Sequence, residues 1–117
     1  MEVQFLFSVR VAAMPGIDFA AVRSQVVMAQ VLDLLGFVIH ERSGNQVRGG
    51  CPVHRSCFGR SRSFSANLDE NVYRCFNCGS SGGTLELWAA VHGTSVYDAA
   101  IDLCERLGIE VPWVRRW

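Results

Sequence analysis

The 117-residue chain contains no lysine, so its eleven basic side chains are all arginine. Taken alone this decides little, because base composition in the gene produces the same bias. Other shortages exclude more. Proline occurs only three times while half of the residues are apolar, the wrong balance for a disordered chain. No run reaches the roughly 18 apolar residues that a membrane-spanning helix needs. The apolar start, Met1 to Met14, lacks a leading basic residue, opening instead with Glu2 and broken by Arg10, so it does not read as a secretory signal. Five cysteines, at 51, 57, 75, 78 and 104, cannot all pair with one another. With no export segment, a reducing, cytoplasmic setting is expected. Net charge is also missing: eleven acids balance eleven arginines, which argues against indiscriminate binding to polyanions.

The balance is uneven along the chain. Between His40 and Cys75, Arg42, Arg48, Arg55, Arg60, Arg62 and Arg74 face only Glu41, Asp69 and Glu70; from Phe76 to Glu110 the acids prevail. The length suits one domain. Residues Val3, Phe5, Phe7, Val9 and Val11 alternate with more polar positions, a period that allows a strand or an ill-ordered extension. Asp18 is placed to cap a short helix reaching Arg23 or Ser24. A second helix is predicted over Val26 to Leu35, ended by Gly36. Strands are predicted at Phe37 to Arg42, Gln46 to Gly50, Ser63 to Leu68 and Val72 to Phe76, with turns at 43–45 and 69–71. Helices are expected at Thr84 to His92 and Ser95 to Leu107, separated by Gly93 and ended by Gly108, with Ser95 and Asp98 at capping-box spacing. The order predicts an α+β fold: helices, a small antiparallel sheet and a helical hairpin. Its expected boundaries are an extension over 1–17, a domain over 18–110 and a tail over 111–117.

The sheet carries Cys51-x2-His54 and, after twenty intervening residues, Cys75-x2-Cys78. Two close pairs at strand ends bring soft and borderline ligands to one tetrahedral centre, which suits a single zinc ion. Four protein ligands leave no open position for water or substrate, so the zinc is expected to be structural. Cys57, three residues after His54, is the competing ligand. A redox pair of the thioredoxin type fits less well, since it needs a parallel unit and a helix after the first cysteine. Cys104 falls in phase with Ile101 and Leu107 and reads as a core thiol.

Gly50-Cys51-Pro52-Val53-His54, Ser63-Phe64-Ser65, Val72 to Gly79 and Ser81-Gly82-Gly83 together resemble the N-terminal zinc-binding domain of bacterial and phage DNA primases. The resemblance covers about residues 18 to 108. It implies a zinc ribbon with helices beside a short sheet, binding single-stranded template and assisting primer initiation. Polymerisation in that family belongs to a separate acidic domain, so the chain alone is expected not to polymerise nucleotides. Residues 55–62 form a longer, arginine-bearing link than the family commonly has, and Gly83 stands where the family often has Asp.

Arg55, Arg60, Arg62 and Arg74 are the candidate phosphate contacts, and Phe64, Tyr73 and Phe76 the candidate stacking surfaces. Phe64 reads equally well as core, and Phe76, between two ligands, is expected to pack over the zinc. Alternation puts Val72 and Arg74 on one strand face, Tyr73 and Cys75 on the other, and leaves open which face meets solvent. The expected partners are single-stranded DNA and a primase catalytic domain or other replication protein, with no membrane. A protein-interaction adaptor using the apolar N-terminal strand and the Trp113 and Trp117 tail is the alternative reading; a fragment of a primase or primase-helicase is the third.

Overall fold

A computed structural model describes residues 16–54 and 62–114. The strand expected over Val3 to Val11 lies outside the described residues, as do Arg55, Cys57 and Arg60. Helices α1 (Phe19–Gln25) and α2 (Met28–Leu34) lead into an antiparallel sheet of β1 (Glu41–Ser43), β2 (Gln46–Gly49), β3 (Phe64–Asn67), β4 (Val72–Cys75) and β5 (Ser81–Gly82). Helices α3 (Thr84–His92) and α4 (Val96–Leu107) follow. The strands lie in the order β1-β2-β3-β4-β5, each pairing with its sequence neighbour. The α+β expectation holds.

Local chemistry explains the boundaries. The Asp18 carboxylate accepts from the Ala21 N–H at 3.1 Å and caps α1. Val26 and Val27 were expected to open the second helix but are extended, and Gln30 Oε1 accepts the Val27 N–H at 2.9 Å to start α2. β-Branched side chains resist the helical turn, so the break falls at this pair. The first strand starts at Glu41 rather than Phe37, because residues 37–38 lie across the end of β2. There Gly49 leaves no room for a side chain: a Cβ would sit 2.5 Å from the Val38 carbonyl oxygen and 2.8 Å from the Phe37 ring. The Ser95 hydroxyl accepts from the Asp98 N–H at 3.0 Å and caps α4.

One face of the sheet is apolar and the other polar, as strand alternation requires. Val47, Phe64, Ala66, Tyr73 and Cys75 point inward and join Val22, Met28, Val31, Leu85, Leu87, Trp88 and Leu103 in one core. Phe64 sits between two rings, with centroids 5.1 Å from Phe37 and 5.5 Å from Tyr73. The register places Glu41, Arg48, Ser65, Arg74 and Ser81 in one cross-strand row on the other face. The turn between β3 and β4 is tied to the helices, since Asn71 Oδ1 accepts the Met28 N–H at 2.7 Å.

Two longer-range features frame the domain. Residues 111–114, expected as a tail, run beside the start: Asp18 N–H donates to Pro112 O (2.9 Å), Val114 N–H to Gly16 O (2.8 Å), and Ile17 bridges Trp113. Arg23 of α1 grips Glu86 of α3 with two hydrogen bonds, of 2.9 and 2.7 Å. The Arg23 hydrogen bond is the main force holding the Glu86 carboxyl down at about 2, against an ordinary 4.5 and against the opposing pull of burial. A carboxylate whose pKa is depressed on folding stabilises fully above its unfolded value and loses that contribution as pH falls through the folded one. Partial exposure screens the pair, so Glu86→Gln is expected to cost about 1 kcal/mol at pH 7. The gap between variant and parent should stay constant down to about pH 4.5 and close toward pH 2. Denaturant titrations over a pH series check this, and a gap that widens in acid would contradict it.

Candidate metal centre

The first knuckle lies just past β2 and the second at the end of β4, so the sheet itself brings them together. β2 and β4 both pair with β3, which lies between them. Cys51, His54, Cys75 and Cys78 each offer a ligand atom, and all four atoms lie within 4.8 Å of one another. Cys51 Sγ is 4.0 Å from Cys78 Sγ, and Cys75 Sγ is 3.7 Å from His54 Nδ1. Zinc bonds of ~2.3 Å to sulfur and ~2.0 Å to nitrogen in a tetrahedron separate the ligand atoms by about 3.5–3.8 Å. The distances therefore fit this metal.

The backbone is arranged for thiolates. Val53 N–H donates to Cys51 Sγ at 3.3 Å, while Asn77 and Cys78 N–H donate to Cys75 Sγ at 3.4 and 3.3 Å. Burial works against ionisation of Cys75, but those two N–H donors and the Ser63 hydroxyl bring its thiol down to about 6. Burial prevails at Cys51, whose thiol is pushed up to about 12 despite its own N–H contacts. Metal binding must then displace the Cys51 proton, which a divalent cation at bonding distance does. The second knuckle closes with Gly79 N–H donating to Cys75 O at 3.0 Å, and Gly79 takes a left-handed φ of 80° that suits glycine. Four protein ligands complete a tetrahedron, so this is a site for one structural zinc ion.

The residues expected to meet nucleic acid divide sharply. Phe64 is fully buried and Tyr73 is 4% exposed, both on the core face; the Tyr73 hydroxyl is 2.7 Å from Ser80 Oγ. Stacking by these two rings is thus corrected: their strand phase follows the buried ligand Cys75 inward. Arg74 is exposed on the other face. Arg62 pairs with Glu41 at 3.2 Å, and its carbonyl accepts from Arg48 Nη2 at 2.8 Å.

Phe76 does not cover the metal site as expected. It is 61% exposed, with the guanidinium carbons of Arg48 and Arg74 at 5.4 and 5.3 Å from its ring centroid. Arg48 was not among the expected contacts, and its Nε is buried with no hydrogen-bond partner among the described residues. The signal that could have found it is alternation: Val47 inward puts Arg48 outward, in register with Ser65 and Arg74.

Residues 17–116 match the CHC2 zinc finger family. The DNA primase of Treponema pallidum (strain Nichols) is 34% identical over 82 residues, covering 69% of this chain and 13% of that protein. The DNA primase of Rickettsia bellii (strain RML369-C) is 32% identical over 75 residues, covering 64% and 12%. The chain thus spans only about an eighth of these curated relatives. A crystal structure of the Aquifex aeolicus primase, comprising its zinc-binding and RNA polymerase domains, shares the fold with a TM-score of 0.64 at 21% identity, over 81% of this chain and 22% of that one. A family match over nearly the whole chain, falling on a four-ligand cluster of Cys-His-Cys-Cys order, makes this chain a member of the CHC2 zinc finger family.

Proposed function

We propose that this chain is a primase-type zinc ribbon that binds single-stranded DNA template and assists primer initiation. The observation that carries the reading is the exposed Phe76 ring flanked by Arg48 and Arg74. An aromatic face stacks on any base, and adjacent guanidinium groups reach the flanking phosphates. The exposed members of the polar row, Arg74 and Ser81, extend this surface, and the resemblance to DNA primases supplies the template. Arg62, with Arg55 and Arg60 in the adjoining link, is proposed to add phosphate contacts. The proposed domain spans 18–110, with residues 16–17 and 111–114 paired alongside it. A primase catalytic domain or another replication protein is the proposed partner, and three zinc-bound thiolates suit a reducing, cytoplasmic compartment. Among the described residues no helix is long and apolar enough to cross a membrane.

Fluorescence anisotropy with a short single-stranded DNA, run over a salt series, tests the reading. Phe76→Ala is expected to weaken binding by about 1–3 kcal/mol, the worth of one stacked base. Arg48→Ala with Arg74→Ala, and separately Arg60→Ala with Arg62→Ala, should each flatten the salt dependence, by roughly 0.7 in slope per lost phosphate contact. Absence of binding at low salt would sink the proposal. The adaptor reading would then gain, resting on Trp113 and Val114, which are 46% and 43% exposed.

A further inference from the structure

The position between Phe76 and Cys78 links the two halves of the metal site. Asn77 donates its backbone N–H to Cys75 Sγ, while its side-chain amide is placed with the nitrogen, Nδ2, 3.4 Å from Nε2 of His54, in the other knuckle. The two ring nitrogens of His54 thus have different neighbours: Nδ1 faces the Cys75 sulfur at 3.7 Å, and Nε2 faces Asn77. Nδ1 is accordingly the atom turned toward the ligand sulfurs. A neutral imidazole that ligates through Nδ1 carries its proton on Nε2, where it is a donor only.

An amide nitrogen cannot accept that proton, whereas the amide oxygen can. The two ends of an asparagine amide have nearly the same shape, and which one faces a partner is decided by the hydrogen bonds available. We infer that Asn77 turns its Oδ1 toward His54 and accepts the Nε2–H, holding the ring in the tautomer and plane that direct Nδ1 at the zinc. Asn77 is then a positioning residue of the metal site. Its backbone supports a thiolate of the second knuckle and its side chain a histidine of the first. The inference rests on the zinc site alone and is independent of nucleic-acid binding.

Partners that orient a ligating histidine commonly change metal affinity by about 10–100-fold, and this one is exposed to competing water, which sets the expectation at about 10-fold. Long-range proton–nitrogen NMR spectra of the zinc-loaded full chain should show His54 protonated at Nε2 and metal-bound at Nδ1. Asn77→Ala keeps the backbone N–H to Cys75 and should retain the fold. In competition with a chromophoric chelator it should bind zinc about 10-fold more weakly, with faster exchange of the Nε2 proton. Asn77→Asp keeps an acceptor and should recover affinity to at least the parent level. Coordination through Nε2, an Asn77→Ala protein with parental zinc affinity, or an Asn77→Asp protein as weak as Asn77→Ala would each overturn the inference.

Discussion

Removing zinc with excess chelator at pH 7 is expected to unfold the domain, and adding zinc back to restore it. Structural zinc contributes an apparent ~10–16 kcal/mol in small zinc domains, comparable to or larger than the ~5–15 kcal/mol net stability of a whole domain. Here the loss would reach beyond the loops that hold the metal. Cys51 and Cys75 are fully buried and belong to the same core as Phe64, Tyr73, Leu87 and Trp88. Without the ion, the turn at 51–54 loses its clamp to the turn at 75–78, and β2 and β4 are joined only through β3. Elemental analysis should find about one zinc per chain, and far-ultraviolet circular dichroism should follow its removal. Cys75→Ala should reproduce the metal-free state. His54→Ala should lose zinc while Cys57→Ala keeps it; the reverse result would move the fourth ligand. An apoprotein that kept its native spectrum would contradict the assignment of the ion to folding.

The second large effect is expected at Trp88, ten residues beyond the last metal ligand. Its side chain is 2% exposed, its indole Nε1–H donates to Asp102 Oδ2 at 2.8 Å, and Arg106 lies over the ring with its guanidinium carbon 5.3 Å from the centroid. Asp102 also accepts from Arg106 Nε at 3.1 Å, and the His92 ring lies against the indole with centroids 4.3 Å apart. The Trp88 hydrogen bond is the largest influence holding the Asp102 carboxyl below its usual range, with Arg106 adding to it. One side chain therefore fills the junction of α3 and α4 and satisfies a carboxylate on the second helix. Trp88→Ala should destabilise by about 3–5 kcal/mol, the usual cost of emptying a large core position. Trp88→Phe keeps most of the volume but removes the donor, and should cost about 1–2 kcal/mol. Thermal unfolding of the zinc-loaded proteins measures both. A Phe variant as unstable as the Ala variant would show that the hydrogen bond to Asp102, rather than packing, dominates.

The metal site was legible because its signal is local. Each pair occupies one turn, and two-residue gaps with Pro52 and Gly79 beside them mark a knuckle without any knowledge of the fold. The sheet was legible for a related reason: alternation in 46–50, 63–68 and 72–76, with a turn at 69–71, specifies an antiparallel meander. The direction in which β4 faces was not legible, because Val72 and Arg74 alternate with Tyr73 and Cys75 and either pair can be buried. Burial of the ligand Cys75 decides it, and Tyr73 shares its face. Phe76 is the first residue beyond that strand, and its exposure follows from the same phase. The shift of β1 depends on residues 37–38 meeting Gly49, which neither segment declares alone. Asn77 was invisible for a similar reason, since its role comes from a histidine 23 positions away.

The pairing of residues 16–18 with 112–114 has a consequence for how the domain bears tension. The two ends of the described unit, Gly16 and Val114, lie side by side and are joined by a backbone hydrogen bond of 2.8 Å. A pull applied to those two ends is borne first by this pairing, so the sheet and the metal clamp are loaded only after it yields.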